Sequence, residues 1–203
     1  MSRDVEGLVR SSRFLVVDDN PAWIRLVREV LFGWSAVSVF GGASVAQAQV
    51  LLEQNNVDMI ISDLLMPHED GFALARWVRR HASPRLQRTP FAIMTAETSR
   101  VNITRAACCG ADMVIEKPLK PAILWPRMVS LLATAARSNE PRALPPCQKV
   151  LSVPCPLIPV RRKRAEIEAE AKALIRGVSQ PLRPAEPAVT GLGGPNPLSS
   201  PAS

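Results

Sequence analysis

Val57-Asp-Met-Ile-Ile-Ser-Asp63-Leu-Leu-Met-Pro67 is an apolar run that halts on a carboxylate and turns at a proline. Its first five residues, Val57 to Ile61, have the length and composition of one buried strand. The same pattern recurs on both sides. Phe14 to Val17 stops at Asp18 and Asp19, Phe91 to Met94 is followed by Thr95, Asp112 to Ile115 leads to Lys117, and Ala36 to Val39 makes a further run. Between these five runs, apolar residues fall at three- and four-residue spacing. Ile24, Val27, Val30 and Leu31 form one such face, and Val45, Ala48, Leu51 and Leu52 another. Phe72, Ala75, Val78 and Arg79 continue it less cleanly; Ile103 to Ala107 predicts a short fourth helix and Ile123 to Leu132 a fifth. Strands that are apolar throughout, alternating with helices, favour an α/β fold: a five-stranded parallel doubly wound sheet with helices on both faces.

In such a sheet, sites form where the carboxyl ends of the strands meet the loops. Asp18, Asp19, Asp63, Thr95 and Lys117 all fall at that edge. Each alone has an ordinary structural explanation, as a helix cap, a strand residue or a solvated amine. Together, at four strand ends, they point to chemistry. Three carboxylates in one place repel one another, and a hard divalent cation relieves that; Mg²⁺ suits because it needs few carboxylates and completes its shell with water and phosphate oxygens. Asp63 could then attack a phosphoryl group while Lys117 and Thr95 neutralise charge on its oxygens. The resulting acyl phosphate could reorganise the Thr95 loop and act as a switch.

At these residues the sequence resembles the receiver domain of two-component response regulators. The matching stretches are Phe14-Leu-Val-Val-Asp-Asp-Asn20, Val57 to Pro67, Asp70-Gly-Phe72, Met94-Thr-Ala96, Gly110-Ala-Asp112 and Glu116-Lys-Pro118, spanning residues 13–136. The resemblance implies a flavodoxin-like receiver fold, Asp63 as phosphoacceptor, and Mg²⁺ bound directly by Asp19 with help from Asp18 through water. It further implies that the Leu65 backbone carbonyl reaches the metal, Thr95 is the switch hydroxyl, Lys117 contacts the phosphoryl group, and the Lys117–Pro118 bond is cis. The partner it implies is a sensor histidine kinase or a histidine phosphotransfer protein. The chain would be a phosphoacceptor that catalyses its own phosphorylation and dephosphorylation, not a conventional enzyme, with an unidentified downstream protein target. Three features depart from the family pattern. Val114 stands where a switch Tyr or Phe is usual, Pro126 falls inside the expected fifth helix, and Glu97 to Thr104 has weak helical patterning.

The 203 residues are 47% hydrophobic and carry a net charge of +7. Residues 1–136 hold 15 basic and 13 acidic side chains, and residues 137–203 hold 10 and 5, so the excess sits mostly after the receiver-like segment. Nucleic acid is therefore not the expected partner of the globular part. Twelve of the 19 prolines also fall after residue 136. The expected organisation is a leader at 1–12, a receiver at 13–136, and a proline-rich, mostly disordered tail at 137–203 with an amphipathic helix at 165–178 behind the basic run Arg161–Arg164. That helix, through Ile167, Leu174 and Ile175, is a candidate partner-binding face.

No secretory signal or membrane-spanning apolar run is legible. A cytoplasmic location is expected, and the four cysteines, none in a Cys-x-x-Cys pair, read as structural or incidental. His68 and His81 read as turn and surface residues, and Trp23, Trp34, Trp77 and Trp125 as packing residues. Two other functions compete: a DNA-binding transcriptional response regulator using the basic tail, which lacks a legible recognition-helix pair, and a pseudo-receiver that is never phosphorylated. A haloacid-dehalogenase-like phosphatase would need a second Asp two residues after the nucleophile, where Leu65 stands.

Overall fold

A computed structural model describes residues 3–138. In chain order the elements are α1 (Arg3–Arg10), β1 (Arg13–Val17), α2 (Pro21–Gly33), β2 (Ser38–Gly42), α3 (Val45–Gln54), β3 (Met59–Asp63) and α4 (Gly71–Arg80). They continue with α5 (Pro84–Arg88), β4 (Phe91–Thr95), α6 (Arg100–Cys108), β5 (Met113–Glu116) and α7 (Pro121–Arg137). All strands pair in parallel in the order β2-β1-β3-β4-β5. This is the expected flavodoxin-like receiver topology.

Alternation along each strand divides the core into two layers. Phe14, Val16, Met59, Ile61, Ala92 and Met94 face one cluster with Leu26, Met128 and Leu132 of α2 and α7. Leu15, Val17, Ile60, Phe91 and Ile93 face the other with Leu52, Phe72, Leu74 and Ala106 of α3, α4 and α6. Every residue of β3 and β4 is buried, so the central strands need apolar residues at both parities. Helix starts are fixed by side-chain caps: Asn20, Ser44, Asp70 and Ser99 each accept a backbone N–H from the first turn that follows.

Several elements differ from the expected ones. The segment expected as a leader contains α1, anchored by the fully buried Val9 in the α2–α7 layer. β2 and β3 begin two residues later than their apolar runs. Ala36 instead closes α2, its N–H donating to Leu31, and Asp58 accepts from the Arg13 backbone at the strand's edge. Helix α6 begins at Arg100, well before Ile103, because Ser99 caps it where apolar spacing is weak. Helix α7 runs uninterrupted past Pro126 to Arg137. The N–H that Pro126 lacks would have met the Ala122 carbonyl, and both residues are exposed, so solvent replaces that bond at little cost. The basic run Arg161–Arg164 and the helix expected at 165–178 lie outside the described residues. Among the described residues, no helix is long and apolar enough to cross a membrane.

Candidate phosphoryl-acceptor site

Three carboxylates meet at the carboxyl rim of the sheet. Oxygens of Asp18, Asp19 and Asp63 lie within 4.8 Å of one another. β1 and β3 are hydrogen-bonded neighbours, with Val17 opposite Ser62, so the residues that follow arrive at the same height. Asp18 is 1% exposed, Asp19 is exposed, and the Asp63 side chain keeps 12% of its surface open. That opening matters because a phosphoryl donor must reach the carboxylate.

Lys117 closes the group. Its Nζ lies 2.7 Å from Asp63 Oδ1 and 2.9 Å from Asp18 Oδ2. The cis Lys117–Pro118 bond turns the chain here, and the Lys117 backbone N–H donates to the Thr95 carbonyl at 2.8 Å. Asp18 also accepts the Asn20 N–H at 2.9 Å, which ties it to the start of α2.

Burial sets the electrostatics. It pushes the Asp18 carboxyl up to about 6, against the pull of Lys117 and with the help of neighbouring Asp63. Asp63 is raised for the same first reason, again opposed by Lys117. Burial alone would lower the Lys117 ammonium, but Asp63 and Asp18 together carry it above its ordinary value. Three carboxylates face one lysine here, and burial makes the ionised forms of Asp18 and Asp63 costly without a further cation. An all-oxygen donor set in that condition fits a hard divalent cation.

Thr95 stands at the end of β4 on the same rim, but its hydroxyl is engaged elsewhere. It donates to the Glu97 carbonyl at 3.2 Å and accepts the Glu97 N–H at 3.0 Å. The Glu97 carbonyl also accepts from Asn102 Nδ2 of α6 at 3.2 Å, so Thr95 is linked to that helix through one peptide. Leu65 lies two residues past Asp63 in the loop before α4. That loop is held by Leu64, whose N–H donates to Met94 and whose carbonyl accepts from Gly71.

Trp23 is the site neighbour that sequence reading assigned to packing alone. Its ring centroid lies 4.7 Å from Lys117 Nζ. The available signal was position: it stands four residues after Asp19, on the first turn of the helix that leaves the acidic rim. Val114 is half-buried against the α4–α6 layer, with no aromatic ring at that place to turn with Thr95.

Residues 14–128 match the family described as response regulator receiver domain, more than half of the chain. Among curated proteins, the chain is 34% identical over 123 residues to the transcriptional regulatory protein GltR of Pseudomonas aeruginosa, covering 60% of this chain and 49% of that protein. It is 30% identical over 137 residues to SrrA of Staphylococcus aureus, covering 66% and 54%. The chain thus spans about half the length of the curated relatives it matches. Among solved structures it is similar to the chemotaxis response regulator CheY4 of Vibrio cholerae, with 26% identity, a TM-score of 0.55, and coverage of 60% of this chain and 98% of that one. The receiver domain of a signal transduction histidine kinase from Syntrophus aciditrophicus matches at 30% identity and a TM-score of 0.56, covering 63% and 95%.

Proposed function

This chain belongs to the response regulator receiver domain family, and from that premise we propose that Asp63 accepts a phosphoryl group from a sensor histidine kinase or a histidine phosphotransfer protein and that the chain signals through protein contacts. The observation that carries the proposal is the sharing of Lys117 between Asp63 and the buried Asp18, beside a third carboxylate and open to solvent at Asp63.

Asp18, Asp19 and Asp63, with the Leu65 carbonyl, would hold Mg²⁺, which supplies positive charge against the oxygens of the incoming phosphoryl group. The protein's own groups do the rest. An Asp63 oxygen attacks phosphorus as the donor's P–N bond breaks, leaving an acyl phosphate on Asp63 and the electron pair on the donor imidazole. Lys117 Nζ, already at the carboxylate, then contacts a phosphoryl oxygen. The Thr95 hydroxyl can do the same only by giving up its bond to the Glu97 carbonyl, which leaves that peptide held by Asn102 of α6. This trade relays the change to the surface without an aromatic residue at position 114.

The segment 13–136 acts as the receiver, preceded by the α1 segment and followed by the tail. The curated relatives' names keep transcriptional output as a second reading. The near balance of 15 basic and 13 acidic side chains over residues 1–136 favours protein contacts for the receiver itself.

The direct test is labelling of the full chain with a small acyl phosphate and Mg²⁺. Wild type should take up about one phosphoryl group per chain and Asp63→Asn none; equal labelling of the two, or labelling of neither, sinks the assignment. A second expectation concerns pH. Because Asp18 titrates near 6 when folded, above its ordinary 3.8, protons and Mg²⁺ compete there. Mg²⁺ affinity should weaken up to about tenfold per pH unit below 6. Metal-free stability should move oppositely: the Asp18 contribution is full below 3.8 and is lost as pH rises through about 6. Calorimetric titrations at pH 5 and pH 7.5 giving the same Mg²⁺ affinity would contradict this.

A further inference from the structure

Lys117 has three N–H donors, and two carboxylates engage it. The face of Trp23 lies beside the same ammonium, at 4.7 Å from the ring centroid. Lys117 is 9% exposed and Trp23 3%. Water competes little in such a place, which puts a cation–π contact at the strong end of its range.

We propose that Trp23 is a positioning residue for phosphoryl transfer, its indole ring holding the Lys117 ammonium over the carboxylates before and after Asp63 is converted. The inference rests on the reading of Asp63 as phosphoacceptor. Its physical reason lies in what the reaction consumes. Asp63 Oδ1 is the nearer anchor of Lys117, yet acylation to phosphorus removes that carboxylate as an anion. Lys117, on a flexible four-carbon stem, must then exchange that oxygen for a phosphoryl oxygen while Asp18 holds its other side. The ring is unchanged by the reaction, so it keeps the ammonium in place while the partner oxygens change.

The geometry that delivers the ring is rigid. Asn20 donates its N–H to Asp18 Oδ1 at 2.9 Å, its side chain accepts the Ala22 N–H at 3.0 Å, and its carbonyl accepts the Trp23 N–H at 3.0 Å. One capped turn thus sets both the buried carboxylate and the indole against the same ammonium. Trp23 also packs in the layer with Leu26, Leu119 and Leu124, which fixes the plane of its ring.

The test uses the full chain, Mg²⁺ and acetyl phosphate, comparing Trp23→Leu, which keeps apolar bulk, with Trp23→Phe, which keeps a smaller π-face. Trp23→Leu should lower the saturating labelling rate about tenfold while the half-saturating donor concentration and Mg²⁺ affinity stay within about twofold. Trp23→Phe should lose no more than about threefold, and Trp23→Leu should add nothing in a Lys117→Met background. A wild-type rate in Trp23→Leu, an equal loss in Trp23→Phe, or the same loss without Lys117 would overturn the proposal. Should Trp23→Leu not fold, the unsubstituted protein still decides: ring current from the indole must shift the Lys117 Hε resonances upfield, and ordinary lysine positions would refute the contact. Failure of wild type to label would instead remove the phosphoacceptor reading, and the resonance measurement would still report on the ring.

Discussion

Arg79→Ala is expected to cost about 3–5 kcal/mol of stability, the penalty for removing one partner from a buried, hydrogen-bonded ion pair. The Arg79 side chain is fully buried in α4. Its Nε donates to the Gly110 carbonyl at 2.9 Å, Nη1 to the carbonyls of Gln87 and Thr89 at 3.0 and 2.8 Å, and Nη2 to Asp112 Oδ2 at 2.8 Å. Asp112 Oδ2 also accepts the Phe91 N–H at 2.8 Å. One guanidinium thereby gathers the end of α5, the turn after α6, and the starts of β4 and β5. Deleting it takes a donor from the Gly110, Gln87 and Thr89 carbonyls and the cation from Asp112 at once, and the stem that packs there is lost as well. The midpoint of thermal unfolding should fall by more than about 10 °C. This junction is at the rim opposite Asp63, so Mg²⁺ affinity of the folded fraction should be unchanged. A loss below about 1 kcal/mol in urea unfolding would show that the network is not a keystone of the fold.

Gly71→Ala should damage both stability and the site. A Cβ at Gly71 would run into the carbonyl oxygen of Asp63, with the Asp63 carbonyl carbon at 3.2 Å and Leu64 Cα at 3.3 Å. Every one of these atoms is backbone, so no side chain can swing aside, and the chain after β3 must move. The cost should be about 3 kcal/mol, at the upper end for overpacking. Because the displaced peptide carries the phosphoacceptor itself, a shift near 1 Å should slow labelling about 100-fold even where the protein remains folded. Gly7→Ala provides the control: nothing lies within 4 Å of its added methyl, and a helical Gly to Ala change should be neutral or stabilising by up to about 1 kcal/mol. Labelling of Gly71→Ala at the wild-type rate would mean that the loop has slack that its hydrogen bonds do not suggest.

These two positions mark where sequence reading stops. Arg79 could be read only as an imperfect member of an apolar helical face, since its partners Gln87, Thr89, Gly110 and Asp112 lie 8 to 33 positions later and share no local spacing with it. Gly71 reads as a turn or helix start next to Asp70, which is true but omits its contact with Asp63. Helix α5 and the early start of α6 were missed for a related reason. Both follow a serine, and their first three residues carry few apolar side chains, so periodicity is silent there. The N-terminal helix α1 escaped as well; of its described side chains, 7–10, only Val9 is buried, which is too little for a periodic pattern to show.

The strands announced themselves in the sequence because central parallel strands must be apolar on both faces, and their polar ends mark the rim where loops can hold chemistry. That settled the α/β class, the five-strand count and the grouping of Asp18, Asp19, Asp63, Thr95 and Lys117 at one edge. Only tertiary structure decided how those groups divide their contacts. Lys117 is shared by two carboxylates beneath an indole, while the Thr95 hydroxyl turns toward Glu97. Such pairings join residues as far as 99 positions apart. They depend on strand register and helix seating to within an ångström, and a one-dimensional pattern carries no distance of that kind.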